Sequence, residues 1–403
     1  MLYMSNLVVP LHATRAGKSQ TKFQLGYRPL LTGLRGVAVS CVVLFHIRNI
    51  IYQGRTMMGT NIDLTQGYLG VDIFFVLSGF LITLLLIEEW ESSGKISLKA
   101  FYMRRALRLL PALTVFLSVM IVYALIAFPY DRAFKTIVVS VASLGYSTNW
   151  LMAFHLYAED QILSHTWSLA IEEQFYLVWP LLFIFLLRCG LRRRTILIIV
   201  AVAILSVLFY RVTAFHSGAP LVRIYNGTDM RGDSLLIGCL AAMLLAWNVL
   251  PRLFQRALGI AAFISTLVIT MYLTGHNRGA VLSSGFTIYG LAVAIVLISL
   301  VREPPRLALR LLECRPLVWL GEISYAVYLW HFFAITLAMR WIDSPAMVSL
   351  MAMAFTLAFA SLSYYLIEKP FLRLKKRFQK VGEQSSQLDQ RLGHNLGDYA
   401  IPS

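Results

Sequence analysis

Charged side chains are scarce in this sequence. Only 14% of its 403 residues are Asp, Glu, Lys or Arg, whereas 58% are hydrophobic and the mean hydropathy is +0.68. A soluble globular domain carries about 25% charged residues. The composition therefore excludes a soluble globular fold, because such a fold could not cover this much apolar surface, and it predicts an integral membrane protein.

Cysteine is rarer still, with four residues at positions 41, 189, 239 and 314. They are widely spaced and form neither a Cys-x-x-Cys motif nor a Cys/His cluster. The pattern predicts four free thiols, no disulfide and no zinc site, and we find no ligand set for another metal.

Acidic residues are also few, with 20 Asp and Glu against 36 Lys and Arg, which gives a net charge of +16. In a soluble protein this charge would suggest nucleic-acid binding. Here the basic residues lie mostly in short stretches between apolar segments. This pattern is typical of topology signals and of contacts with anionic lipid headgroups, so we expect membrane lipids as partners and no nucleic acid.

Apolar runs of about 20 residues, the length that crosses a bilayer, recur along the chain. The ten candidate spans are 30–51, 68–88, 109–129, 167–187, 195–213, 234–250, 256–274, 283–301, 318–338 and 347–367. A further run, 133–150, contains Lys135 and several hydroxyl residues. If it crossed, the basic cluster 188–194 would lie outside. The positive-inside rule thus predicts an all-α integral membrane protein with about ten transmembrane helices, both termini cytoplasmic, and 133–150 re-entrant or surface-lying.

The segments between and beside these runs are too short for an additional domain. The N-terminal apolar run is short and lacks a small-residue cleavage site, so it does not resemble a signal peptide. We therefore predict a cytoplasmic N-terminal segment (1–29), a transmembrane domain (30–372) and a disordered polar cytoplasmic tail (373–403). No segment offers the roughly 100 residues that an appended catalytic module would need.

The first predicted span contains Arg35 and His46, with ten residues between them. Eleven helical steps return to nearly the same face and separate the two Cα atoms by ~16 Å. Ionisable groups at membrane depth are costly and indicate function. A histidine titrates near neutrality, so His46 could act as a general base, or it could merely hydrogen-bond a neighbouring helix.

Other polar residues lie at the predicted membrane surfaces. Arg104, Arg105 and Arg108 follow the second span on the cytoplasmic side, where they could bind phosphates or serve only as topology anchors. Near the outer side, Asp72 could pair with an arginine or be solvated, and Glu172 could orient His46 or position a sugar. The remaining candidates for acceptor binding or structural roles are Trp167, Ser168, Glu173, Asp229, Arg231, Ser324, Tyr325 and His331.

In order and spacing these motifs resemble the membrane acyltransferase-3 family. The resemblance runs from about residue 27 to residue 372 and includes Arg35 to His46, Gly70–Gly79, Arg104–Pro111, His165–Tyr176, Ser324–His331 and Glu368–Pro370. One departure is Thr32, where family members often have Asp. The chain is similar to the stand-alone type, without a fused extracytoplasmic hydrolase-like domain.

The resemblance implies a bacterial inner-membrane O-acyltransferase. It would transfer an acyl group, expected to be acetyl, from acyl-CoA to a carbohydrate or glycolipid hydroxyl, without a permanently bound cofactor. By resemblance, Arg35 and His46 are the catalytic pair with Glu172, and Arg104, Arg105 and Arg108 bind the coenzyme A phosphates. Two alternatives stay open: a glycan transporter or flippase with an intramembrane proton relay, and a non-catalytic membrane scaffold.

Overall fold

The structure is a computed structural model that describes residue 26 and residues 28–52, 66–156, 162–249, 254–274 and 278–374. Within these ranges every regular element is helical. The helices are α1 (Pro29–Ile51), α2 (Gly70–Ser93), α3 (Leu98–Ala127), α4 (Tyr130–Leu144), α5 (Thr148–Ala153), α6 (Thr166–Arg188), α7 (Arg193–His216), α8 (Leu221–Asn226), α9 (Thr228–Ala246), α10 (Phe254–Thr274), α11 (Arg278–Ala280), α12 (Phe286–Arg302), α13 (Arg306–Leu312), α14 (Arg315–Glu322), α15 (Ser324–Met339) and α16 (Pro345–Ser363). The predicted segment 1–29 and tail 373–403 lie almost wholly outside the described residues.

Seven of the described helical segments are long and apolar enough to cross a membrane, and α14 with α15 forms an eighth, bent candidate. The seven segments are Pro29–Ile51, Gly67–Ser93, Leu98–Ala127, Thr166–Arg188, Arg193–His216, Val281–Arg302 and Pro345–Leu374. Large apolar side chains on them stay exposed, among them Ile126 (81%) and Phe209 (71%). Such surface is unfavourable in water and suits lipid tails. The prediction of an all-α multi-pass membrane protein is confirmed.

The predicted spans 234–250 and 256–274 correspond to α9 and α10, which are not among the seven. Helix α9 begins earlier than predicted and carries Asp229, Arg231 and Asp233 in its first two turns. The number of spans and the cytoplasmic position of both termini therefore stay predictions.

Residues 214–233, which connect the predicted spans 195–213 and 234–250, are largely helical. Helix α7 extends to His216, α8 follows, and α9 begins at Thr228. A hydropathy criterion ends a span at its first charges. Here the buried charges are paired with neighbouring helices, so the helix continues through them.

The predicted span 318–338 contains a bend of 78° between α14 and α15, which together form one bent candidate span. In α14 only Gly321 is buried, whereas α15 is buried along most of its length. The bend at Ile323 thus joins a surface helix to a core helix. The hydropathy of the segment does not reveal this change of environment.

Segment 133–150 forms α4, a turn at Gly145 and Tyr146, and the short α5. Helix α4 has 15 residues, about 22 Å, which is shorter than the hydrocarbon core of about 30 Å. The segment is not among the membrane-crossing candidates, in agreement with its interpretation as re-entrant or surface-lying.

Glycine contacts hold the central helices together. A Cβ atom on Gly79 of α2 would lie 2.0 Å from the carbonyl oxygen of Leu235 in α9, and one on Gly238 of α9 would lie 2.0 Å from that of Val76 in α2. The two backbones approach so closely because both positions lack a side chain. Helix α1 packs on α14 in the same way, through Gly36 and Gly321.

Candidate functional site

A cavity of about 690 Å³ lies among α1, α2, α3, α6 and α15. Its lining follows α2 from Glu88 to Val71, so it extends roughly 25 Å along that helix. The predicted site residues that line it are Arg35, Arg105, Arg108, Ser168, Glu172, Glu173, Ser324 and Tyr325. The cavity therefore collects residues from five helices that are far apart in the sequence.

The arginines of the cavity offer hydrogen-bond donors. Within the described residues neither Arg35 of α1 nor Arg108 of α3 makes a hydrogen bond or an ion pair at hydrogen-bonding distance, and both are half-buried. Arg105 lies over the ring of Tyr176, with its Cζ atom 4.3 Å from the ring centroid. The planar donors of Arg35 and Arg108 are thus available to an anionic group that enters the cavity.

Arg104 is separated from the other two arginines. It pairs with Glu89 at 3.3 Å and does not line the cavity. Because α3 is helical through this stretch, adjacent residues point about 100° apart. The arginine triplet that the sequence predicts as one phosphate site is therefore divided, with Arg105 and Arg108 in the cavity and Arg104 outside it.

Glu172 is held by two hydroxyl groups, the Oγ of Ser78 and the OH of Tyr176, which both donate to its Oε1 atom. The first bond joins α6 to α2, and the second lies within α6. The sequence offered Glu172 as a group that could orient His46. In the structure the side chain that hydrogen-bonds His46 is His331.

The imidazole rings of His46 and His331 are in contact in the core of the bundle. The Nδ1 atom of His46 lies 3.1 Å from Nε2 of His331, and Nδ1 of His331 lies 2.7 Å from the backbone carbonyl oxygen of Tyr328. His331 is fully buried, and His46 is half-buried. The ring of His165 lies 5.1 Å from that of His331. We call His46, His165 and His331 the histidine cluster.

Tyr328 belongs to both the cavity and the surroundings of the cluster. Its hydroxyl donates to the carbonyl oxygen of His165 at 2.7 Å and shares a 2.5 Å hydrogen bond with Ser168. Ser168 and Tyr328 both line the cavity, whereas His46 does not. The sequence motifs contained Tyr328 and His165, but nothing in their spacing marked them as site residues.

Four further side chains of the cavity lining, Tyr325, Ser324, Tyr146 and Glu173, differ in their hydrogen bonding and surroundings. The hydroxyl of Tyr325 donates to the carbonyl oxygen of Leu109 at 3.1 Å, while the buried Oγ atom of Ser324 has no partner within the described residues. Burial raises the pKa of the Tyr146 hydroxyl, at the turn before α5, so this group stays protonated at neutral pH. Glu173 is half-buried in the lining.

Glu368 belongs to the motif Glu368–Pro370 but was not predicted as a site residue, and it lies at the end of the π-helical turn that follows α16. The side chain is buried, its Oε1 atom has no hydrogen-bond partner within the described residues, and it interacts electrostatically with Arg108 and Arg35. The sequence shows only a charged residue before a proline at the end of an apolar run, which is also typical of an ordinary helix end.

Asp72 and Arg231 form a buried ion pair away from the cavity. The Nη2 atom of Arg231 donates to both carboxylate oxygens at 2.9 Å, and the hydroxyl of Ser234 donates to one of them. Both charged side chains are fully buried. Of the two alternatives that the sequence left open for Asp72, the structure shows pairing with an arginine, and a solvated position is wrong. The pair joins α2 to α9, which indicates a structural role.

Trp167 and Asp229 also lie in structural contacts. Trp167 is buried against Tyr225, with ring centroids 4.6 Å apart, and does not line the cavity. Asp229 accepts two hydrogen bonds from Arg223, at 2.8 and 2.6 Å, near the surface. These contacts explain both side chains without a ligand.

In the part of the chain that the structure describes, no group of three or more His, Cys, Asp and Glu side chains is arranged to hold a metal ion. All four cysteines are free, as predicted.

The helical bundle, with a cavity that runs along a membrane helix and a histidine pair beside it, defines a polytopic membrane protein with an internal site. The sequence profile of the family described as an acyltransferase domain matches residues 29–367. The chain therefore belongs to the membrane acyltransferase-3 family.

Three curated relatives illustrate the match. The chain is 32% identical to the peptidoglycan O-acetyltransferase OatA of Listeria monocytogenes, over 88% of this chain and 57% of the relative. It is 32% identical to the putative peptidoglycan O-acetyltransferase YrhL of Bacillus subtilis, over 85% and 55%. It is 33% identical to a putative O-acetyltransferase of Staphylococcus aureus, over 88% and 59%. The chain thus spans somewhat more than half the length of these relatives. No solved structure matches it.

Proposed function

We propose that the protein is an O-acetyltransferase of the bacterial inner membrane, which transfers an acetyl group from acetyl-CoA to a hydroxyl of a surface carbohydrate. The observation that carries this proposal is the arrangement on α1, where Arg35 lines the cavity and His46 lies three turns further along the same helix. Family membership and the names of the relatives support the same reaction.

The donor enters through the cavity. Gly26, just before α1, and Glu88, near the end of α2, line the end that would face the cytoplasm in the topology predicted from the positive-inside rule. The donors of Arg35 and Arg108, to which no described residue hydrogen-bonds, provide charge and geometry for the phosphates of coenzyme A together with Arg105. The cavity's length along α2 lets the pantetheine arm carry the thioester toward Ser168 and Tyr328.

His46 supplies the base. Its imidazole takes the proton from the acceptor hydroxyl as the hydroxyl oxygen attacks the thioester carbonyl carbon. The carbon–sulfur bond then breaks, and the coenzyme A thiolate leaves and receives the proton from the imidazolium. An ester and free coenzyme A are the products. A covalent acyl-histidine intermediate would have the same overall balance.

The acceptor is a glycan that reaches the site from the outer half of the membrane, where His46 would lie in the topology predicted from the positive-inside rule. The names of two relatives specify peptidoglycan as their acceptor. We propose a cell-envelope glycan of this kind, either polymeric or lipid-linked, as the acceptor of this chain.

The test uses membranes that contain the native chain, the variant His46→Ala or the variant His216→Ala, together with radiolabelled acetyl-CoA. Label is measured in the peptidoglycan, polysaccharide and lipid-linked glycan fractions. We expect label in one fraction with native protein, a loss of about 10²- to 10⁴-fold with His46→Ala, and native transfer with His216→Ala, since His216 is exposed at the end of α7.

Full transfer by His46→Ala would overturn the assignment of the base. If native membranes transfer no label but move a glycan across the bilayer without acyl-CoA, the protein is a transporter and the proposed reaction is wrong.

A further inference from the structure

We infer that His331 is a positioning residue that fixes the tautomer of His46 and so leaves the Nε2 atom of His46 free to accept a proton. This inference rests on the proposed function, because it gives the base of that reaction its orientation and its protonation pattern. His331 comes from a distant part of the sequence, because its residue number differs from that of His46 by 285.

A backbone carbonyl sets the tautomer of His331. The oxygen of Tyr328 can only accept hydrogen bonds, and it lies 2.7 Å from Nδ1 of His331. The proton of a neutral His331 must therefore be on Nδ1. A carbonyl in the middle of α15 cannot rotate away, so this choice of tautomer is built into the helix.

The second step follows from the chemistry of a neutral imidazole. With its proton on Nδ1, His331 carries a lone pair on Nε2 and can only accept there. The atom 3.1 Å away is Nδ1 of His46, which must then donate. The proton of neutral His46 is thus on Nδ1, and its Nε2 atom carries the lone pair that a general base needs.

A neutral His331 also fits its surroundings. The side chain of His331 is completely buried, with 0% of its surface accessible to solvent. The rings that contact it are those of His46, His165, Tyr328 and Phe332, and none of these is an anion. A buried charge without an opposite partner is costly, so His331 stays an acceptor toward His46.

The hydrogen bonds that hold His331 in place continue through Tyr328 to the wall of the cavity. Tyr328 is fixed by its hydrogen bonds to Ser168 and to the carbonyl oxygen of His165, which join α15 to α6 and the turn before it. The chain of contacts runs from Ser168 through Tyr328 and His331 to His46. When His46 accepts the proton of the acceptor, its Nδ1–H bond to His331 remains and stabilises the imidazolium. The same logic applies to orienting groups in catalytic triads.

Two substitutions at one position separate this role from simple packing. In His331→Gln the Oε1 atom can take the place of Nε2 as acceptor, whereas His331→Phe fills the space without an acceptor. We expect His331→Phe to lower kcat about 10- to 100-fold, the range seen when an orienting partner is lost, with the KM for acetyl-CoA within about twofold of native. His331→Gln should recover most of kcat. Thr336→Val, on the same helix, serves as the control, since among the described residues the Thr336 hydroxyl bonds only the carbonyl of Phe332.

Solid-state ¹⁵N NMR of histidine-labelled protein gives a readout that needs no activity. We expect the signal that disappears in His46→Gln to report protonated Nδ1 and unprotonated Nε2. The opposite tautomer, or a native kcat in His331→Phe, would overturn the inference. If the native protein transfers no acetyl group, the proposed function fails, while the NMR result still decides the tautomer.

Discussion

The hydroxyls of Ser168 and Tyr328 share a 2.5 Å hydrogen bond that joins α6 to α15 at the cavity wall next to the histidine cluster. Tyr328 faces the cavity with its ring, and its backbone carbonyl bonds His331. Through this residue the place where the donor would bind is connected to the proposed base, although His46 itself does not line the cavity.

The Ser168–Tyr328 hydrogen bond should contribute measurably to stability. We expect Tyr328→Phe to lower the free energy of unfolding by about 1 to 3 kcal/mol, because it removes the donor to the buried carbonyl of His165 as well as the bond to Ser168. The measurement is thermal unfolding of the purified protein in detergent.

Ser168→Ala completes a double-mutant cycle. Since both variants remove the same bond, the double variant should be less destabilised than the sum of the two single variants. Strictly additive effects would contradict a direct interaction between the two hydroxyls.

The cavity arginines should set the affinity for the donor. We expect Arg105→Gln and Arg108→Gln each to raise the KM for acetyl-CoA by roughly tenfold, because a charge-assisted hydrogen bond contributes about 1.5 to 3 kcal/mol. The measurement is the initial rate of acetyl transfer at varied acetyl-CoA concentration.

Arg104→Gln is the matched control, since Arg104 adjoins Arg105 in sequence but pairs with Glu89 outside the cavity. Its KM should equal that of the native protein. An equal rise in all three variants would indicate general attraction of the donor by surface charge instead of binding in the cavity.

The buried ion pair of Asp72 and Arg231 should be essential to folding. We expect Arg231→Met to lower the free energy of unfolding by about 3 to 5 kcal/mol, because it leaves a buried carboxylate without its cation. The double variant Asp72→Leu with Arg231→Met should be more stable than Arg231→Met alone. Folded yield and thermal midpoint in detergent measure both effects.

The comparison for this pair is Asp229→Asn, which breaks the partly exposed contact with Arg223. We expect a loss of less than about 1 kcal/mol there. A small effect at Arg231, similar to that at Asp229, would show that the buried pair is solvated in the protein.

The glycine contact between α2 and α9 predicts a large effect of a single methyl group. We expect Gly238→Ala to reduce folded protein strongly, because its Cβ atom would lie 2.0 Å from the carbonyl oxygen of Val76 and the helices would have to separate. Size-exclusion profiles after extraction in detergent provide the measurement.

Gly232→Ala, in the same helix, offers the opposite case. Apart from its own helix backbone and its chain neighbours, no atom of the described residues lies within 4 Å of the Cβ position there, and alanine favours a helix by roughly 0.5 to 1 kcal/mol over glycine. This variant should fold at least as well as the native protein. Equal loss in both variants would refute the close-packing explanation.

Local sequence patterns predicted a large part of the site. The spacing of Arg35 and His46 placed both on one helix, and the structure contains that helix as α1. The same patterns could not divide Arg104 from Arg105 and Arg108, because that division depends on which helix packs against each face of α3. They likewise could not show that Asp72 is buried, since its partner Arg231 is distant in sequence.

The amino-acid sequence by itself determined that the chain is helical and lies in a membrane, and which residues follow one another along each helix. Hydropathy and helical periodicity are local properties, so they can be read without knowledge of the fold. Tertiary structure alone decided that His331 meets His46, that Tyr328 joins the cavity to them and that Glu368 lies near the arginines. These relationships arise when helices distant in sequence pack through surfaces such as the glycines of α2 and α9, and no local pattern specifies which surfaces will meet.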